Sequence, residues 1–125
     1  MIVDCAAYRD GARRTGCLDL EEVPAWTARP GHVVWLGLRL PEQDEIDRVE
    51  AVLDIDQDDL DEARAPHLRP VLSIRPDLTW LVLRTVRHDP VRRALVLGEL
   101  SVLVTDQAVV TIRYGQASPL QGLRR

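Results

Sequence analysis

Residues 32–53 read HVVWLGLRLPEQDEIDRVEAVL, and two different periodicities meet inside that stretch. His32 to Leu38 is a nearly continuous apolar run, which predicts a strand covered on both faces. Pro41 then suits the first turn of a helix, and Glu42, Asp44 and Glu45 follow where a helix's positive end favours anions. Ile46, Val49 and Leu53 recur at helical spacing, giving that helix one apolar stripe. A buried strand feeding an amphipathic helix means a layered domain that packs helices on a sheet.

The same reasoning extends in both directions. Ile2–Tyr8 and Arg13–Leu18 read as strands around an Arg9–Ala12 turn, where Asp10-Gly11 is a hairpin signal. Leu18–Val23 reads as one helical turn stopped by Pro24, and Trp26–Gly31 as a Pro/Gly loop. Downstream, a short helix is predicted from about Gln57 to Ala65, ended by Pro66. Val71–Ile74, Leu78–Arg87, Arg93–Thr105 and Ala108–Tyr114 read as strands. His88-Asp89-Pro90 and Thr105-Asp106-Gln107 turn between them. Along Leu100–Thr105 the side chains alternate only weakly, which again predicts cover on both faces. Ser118-Pro119-Leu120 has the N-cap and first-position proline of a helix start, and the chain stops shortly after, as a fragment would. The expected fold is α/β, in the layered α+β sense: a mixed, largely antiparallel sheet flanked by short helices. Residues 1–117 form its one domain, and residues 118–125 begin a further helix.

Composition sets limits on function. The chain has 125 residues, 46% apolar and 29% charged, enough for one domain with a real core. Its net charge of −4 argues against a nucleic-acid partner. All 16 basic residues are Arg, which reads as genome composition rather than physics. Two cysteines, Cys5 and Cys17, are too few for a disulfide framework. The apolar start is broken by Asp4 and Arg9, so no signal peptide is expected. No run approaches the about 18 to 20 apolar residues of a membrane helix.

The chemistry-bearing candidate is Leu53–Glu62, LDIDQDDLDE, six of whose ten residues are acidic. Asp54, Asp56 and Asp58 fit the first, third and fifth positions of a calcium loop, but Asp59 replaces the required Gly and Ala65 the closing Glu, so that reading fails. Asp56 is instead expected to cap the helix that starts at Gln57, with Asp58 and Asp59 in its first turn. Asp61 and Glu62 lie deeper and remain candidates for hard-cation ligands. Neighbours in sequence point about 100° apart on a helix, so a second element must complete any site they form.

His32, His67 and His88 have no metal-ligand spacing, and neither Cys lies in a nucleophile pattern. Ser73 and Ser101 fall within strands, and no phosphate-binding glycine loop exists, so the chain is not expected to be an enzyme. Trp26, Trp35 and Trp80 read as core or interface anchors, and Arg9, Arg13, Arg14, Arg92 and Arg93 as solvated turn residues. For the arginines, contact with anionic headgroups or a partner is a minority alternative.

The order and spacing of these elements resemble the N-terminal cytoplasmic domain of the CorA family of magnesium channels, from Trp35 to Arg125 and less closely in the first hairpin. Trp35-Leu36-Gly37-Leu38 is similar to the family's tryptophan-led strand. The capped helix with Ile46, Val49 and Leu53 follows. Leu60-Asp61-Glu62, a few residues before Arg69-Pro70, stands where the family has an aliphatic-Glu-Asp element. Leu78–Tyr114 and Ser118-Pro119-Leu120 match the closing strands and the opening of the stalk helix. The order Asp-Glu here reverses the family's Glu-Asp, and Val71 replaces a usual charge, as in a divergent member.

The resemblance implies a cytoplasmic regulatory domain, at the cytoplasmic face of the cell membrane, of a magnesium or other divalent-cation transporter. It implies assembly with copies of itself, as a pentamer, and with the protein's own transmembrane part. It implies that Glu62, with Asp61 beside it, contributes to an intersubunit site for regulatory Mg2+. The pore and its Gly-Met-Asn signature lie beyond Arg125 in the family, so this chain alone is not expected to conduct ions. An isolated copy is expected to bind magnesium at millimolar level or not at all. A stand-alone adaptor of the same fold and the soluble domain of a zinc-transporting relative are the alternatives.

Overall fold

The computed structural model describes residues 1–64 and 70–115. Strands β1 (Ile2–Arg9) and β2 (Ala12–Arg13) form the first hairpin. A 3-10 turn (Leu20–Glu22) runs into helix α1 (Val23–Thr27). Then come β3 (His32–Arg39), α2 (Gln43–Leu53), α3 (Gln57–Arg64), β4 (Val71–Ile74), β5 (Thr79–Asp89), β6 (Ala94–Val104) and β7 (Ala108–Gly115). One seven-stranded sheet has the order β2-β1-β3-β7-β6-β5-β4. Every neighbouring pair is antiparallel except β3 with β7, which run parallel from Val34↔Ala108 to Arg39↔Arg113. The expected mixed, largely antiparallel sheet with short helices is the observed fold.

The parallel pair joins the two halves of the chain. Trp35 Nε1 donates to Thr111 Oγ1 at 3.3 Å, 76 residues away. On one face of the sheet Cys5, Ala7, Val34, Leu36, Leu38, Leu103, Val110 and Ile112 are buried under Val23, Ile46, Val49, Leu60 and Ala63 of the helices. That single interior is the core. Each fully buried aliphatic side chain contributes about 1.5–3 kcal/mol.

At the centre of the sheet Ala6, Leu100 and Thr111, on the side away from the helices, are buried too, but the predicted cover of both faces does not extend over the sheet. Among the described residues the helices pack on one face only. The opposite face leaves Leu72, Ile74, Leu83 and Val104 exposed, and Trp35 is half-buried there beside Tyr8, ring centroids 6.2 Å apart. A run of apolar residues shows that both faces avoid charge, but it does not say that one chain supplies both layers.

Local chemistry explains the boundaries. Asp10 and Gly11 take positive φ (52° and 77°), as a two-residue hairpin turn requires. The returning strand is only two residues long rather than reaching Leu18. Beyond Arg13 the ladder becomes irregular: Ala7 N–H donates to Thr15 Oγ1 at 3.1 Å, and Leu18 N–H reaches Cys5 O at 2.7 Å. Arg13 is not a free turn residue, since it grips Asp4 through both guanidinium nitrogens at 3.0 and 3.1 Å. Asp4's hydrogen bonds and charge hold that guanidinium above its ordinary pKa.

Pro24 opens α1 instead of stopping a turn, because a first-turn residue needs no N–H donor, and Trp26 therefore sits in a helix rather than a loop. Pro41 stands just before the N-cap of α2, which is Glu42, and Glu42 N–H donates to Glu45 Oε1 at 3.1 Å in a capping box. Asp54 ends α2 in the left-handed conformation (φ 54°). β5 runs on through His88 and Asp89, so the turn falls at Pro90–Arg93. The predicted ends at Ala65 and Pro66, the boundary at residue 117 and the helix start at Ser118 lie outside the described residues.

Candidate functional site

Helix α3 carries the acidic stretch, and its local chemistry divides the acids by role. Asp56 Oδ1 accepts from Asp58 N–H at 3.2 Å, so Asp56 caps the helix as expected. Asp56→Ala is expected to destabilise the domain by about 1 kcal/mol in urea unfolding. Leu60 and Ala63 are fully buried against the sheet, which turns Asp58, Asp61 and Glu62 outward. Ser101 Oγ, on β6, donates to Ala63 O at 2.6 Å in a buried bond that fixes the last turn of α3.

Two acids are engaged with cations of the same chain. Asp59 pairs with Arg75 at 2.7 Å, tying α3 to the segment after β4. The hydrogen bond from that pair, then its charge, raises the Arg75 pKa above its usual value. Asp61 lies 3.6 Å from Arg64, three residues on. The dipole explanation for Asp59 is therefore incomplete, because its main partner comes from a distant part of the chain.

Asp58 and Glu62 are different. They stand one helical turn apart on one face, like-charged, with no basic side chain of the described residues within ion-pairing distance. Such a pair costs a helix a few tenths of a kcal/mol until a cation offsets it. Both line a shallow cavity of about 290 Å³ with Asp59, Ser73 and Arg75. The sequence reading coupled Glu62 with Asp61, whereas the fold places Glu62 beside Asp58. The four-residue spacing was the signal that could have found this. A second, acidic cleft of about 450 Å³ brings Asp54, Asp56 and Asp59 beside Asp77 and Asp106, which no local pattern linked.

The described residues of one chain do not assemble a chelate. Among the described residues, no three His, Cys, Asp or Glu side chains converge so as to hold a metal ion. Oxygen donors of this kind suit Mg2+ or Ca2+, and Mg2+ typically takes one or two carboxylates and keeps several waters. Asp58, Asp61 and Glu62 fit that chemistry as one part of a shell.

The two described histidines do not cluster: His32 Nδ1 lies 3.1 Å from Pro30 O and its ring tilts on Trp26, and His88 is exposed on β5; His67 is outside the described residues. Trp26 and Trp80 pack on the core, and Arg29 lies 4.1 Å over the Trp26 ring. Cys5 is buried and Cys17 exposed, and neither is in a disulfide.

Comparison with known proteins agrees with this architecture. The chain is similar to full-length CmaX (18% identity, TM-score 0.66), covering 98% of this chain and 36% of that one. It is similar to the soluble domain of CorA from Methanocaldococcus jannaschii (11% identity, TM-score 0.63), over 98% of this chain and 44% of that one. The complete CorA magnesium transporter of the same organism matches at 14% identity and TM-score 0.65, over 98% of this chain and 35% of that one. At these identities the likeness is one of fold. No curated protein matches the chain. No helix among the described residues is long and apolar enough to cross a membrane. A family model described as CorA-like Mg2+ transporter protein matches residues 30–125, and the chain belongs to that family, one of transporters rather than enzymes.

Proposed function

We propose that the chain is the soluble regulatory domain of a CorA-like magnesium transporter, held at the cytoplasmic face of the membrane by the protein's own transmembrane part. The observation that carries this reading is the outward face of α3. There Asp58 and Glu62 stand one turn apart without a counter-cation among the described residues, and Asp61 adjoins them. Glu62 and Asp61 supply part of a divalent-cation site, and a neighbouring copy of the chain in a homo-oligomer, a pentamer in the family, supplies the rest. A bridging ion offsets repulsion between facing carboxylates and holds the subunits together. Its loss restores that repulsion and shifts the population toward a separated state.

The test uses the full-length transporter. Asp61→Asn with Glu62→Gln is expected to raise the Mg2+ concentration that half-inhibits transport by between about 5- and 150-fold, the usual range for coupled sites. Asp58→Asn, tested separately, assigns the second carboxylate. An unchanged Mg2+ dependence in the double variant sinks the site. Isothermal titration of the isolated domain is expected to give millimolar affinity or none.

A further inference from the structure

The β5–β6 ribbon does not share the charge of the rest of the molecule. Past Gly98, the last β6 residue that pairs with β7, the described partner of β6 is β5 alone, from Thr85↔Gly98 to Asp89↔Ala94. This end of the ribbon exposes Val86 (57%), Leu95 (67%) and Leu97 (60%) on one side and Val91 (90%) at the turn. Residues 85–98, this end of the ribbon, hold Arg87, Arg92, Arg93 and His88 against one acid, Asp89, in a chain whose net charge is −4. Asp89 Oδ1 accepts from the N–H groups of Val91 (3.0 Å) and Arg92 (3.3 Å), which fixes the turn, while its Oδ2 lies 3.8 Å from Nε of the exposed Arg92 in a loose pair that a headgroup can replace. The result is a preformed tip with apolar side chains between outward guanidinium groups.

A surface that complements this tip must be anionic and, just beneath its charges, apolar. The acidic outer face of α2 and α3 on a second copy meets the first condition only. Its eleven acids between Glu42 and Arg64 are accompanied by two Arg, and its apolar stripe is buried in its own core. A bilayer with anionic headgroups meets both. We infer that the β5–β6 tip is a docking element for anionic lipid: Arg92 and Arg93 meet phosphate or carboxylate headgroups, and Val91, Leu95 and Leu97 enter the interface. The remainder of the chain, more negative than the whole, is repelled by the same surface, so the contact has one orientation. The inference rests on the transporter reading only in taking a bilayer to be within reach.

Flotation of the purified chain with phosphatidylcholine vesicles containing about a third phosphatidylserine tests it. EDTA is included, so that no divalent ion bridges α3 to headgroups. The chain is expected to float with these vesicles, not with pure phosphatidylcholine, and to be released by high salt. Arg92→Gln with Arg93→Asn is expected to lower partitioning by about 25-fold. Asn is chosen because it tolerates the φ of 52° at position 93. Val91→Trp is expected to strengthen binding, as tryptophan favours the interface. Asp61→Asn with Glu62→Gln is expected to float at least as well as the parent, which separates this proposal from the cation site. Equal flotation with neutral and anionic vesicles, or an undiminished arginine variant, would overturn it. So would absence of flotation together with self-association at low salt that the arginine variant abolishes, which would assign the ribbon to the acidic face of a second copy.

Discussion

Leu36→Ala is expected to destabilise the domain by about 3–4 kcal/mol, the range for a buried leucine whose site does not collapse. Leu36 is fully buried at the middle of β3, between β1 (Cys5↔Leu36) and β7 (Leu36↔Val110). Truncation removes its transfer free energy and leaves a cavity that neighbouring strands cannot close, because their backbones are fixed by ladders on both sides. At this chain length the melting temperature should fall by about 10–15 °C. Leu72→Ala provides the contrast. Leu72 is 63% exposed on the uncovered face, so its loss should change stability by less than about 0.5 kcal/mol. Thermal and urea unfolding followed by circular dichroism distinguish the two. A similar cost at both positions would mean that the second face is covered in solution.

Ser101→Ala is expected to cost about 1–3 kcal/mol and to loosen α3 selectively. Alanine keeps the β-carbon and removes only the hydroxyl, so no bulk is added, and the Ala63 carbonyl loses a 2.6 Å partner in a buried site. That carbonyl is among the last four of the helix, which have no acceptor role inside it. An unsatisfied buried acceptor is the expensive case, more so than the average worth of a hydrogen bond. Hydrogen exchange should speed up at the amides of Leu60–Arg64 before it changes in β3 or β7. Because Asp61 and Glu62 ride on that turn, the same variant in the full transporter should weaken Mg2+ regulation without removing any carboxylate. Uniform acceleration of exchange across the sheet would show that Ser101 serves global stability alone.

How much was legible in the sequence varies with the range of the forces involved. The start of helix α3 and both ends of strand β4 could be placed to the residue, and helix α2 close to its observed span, because apolar spacing, Asp56 as a cap and nearby prolines act within one or two turns of chain. The role of Pro24 was misread because a proline in the first turn and a proline after the last look alike without the flanking geometry. The partners of Asp59 and Arg13 were not legible, since Arg75 lies 16 residues from the first and Asp4 nine from the second. The pairing of Glu62 with Asp58 was legible, being a local i to i+4 relation, and was passed over in favour of sequence adjacency. The uncovered sheet face was not, because burial by another part of the protein, or by another molecule, leaves the same pattern as burial within the domain.

The parallel pairing of β3 with β7 has a consequence for how the protein is made. Trp35 and Thr111 are 76 residues apart, and everything between them must leave the ribosome before β3 gains its second neighbour. At about 5–20 residues per second that interval lasts about 4–15 s. During it the first three strands present an apolar strand with open N–H and C=O groups, the kind of edge on which nascent chains join one another. Helix α2, made immediately after β3, can cover the face of that strand but not its edge. A slow stretch of translation between residues 40 and 107 should therefore lower the soluble yield, and a chaperone that shields strand edges should restore it.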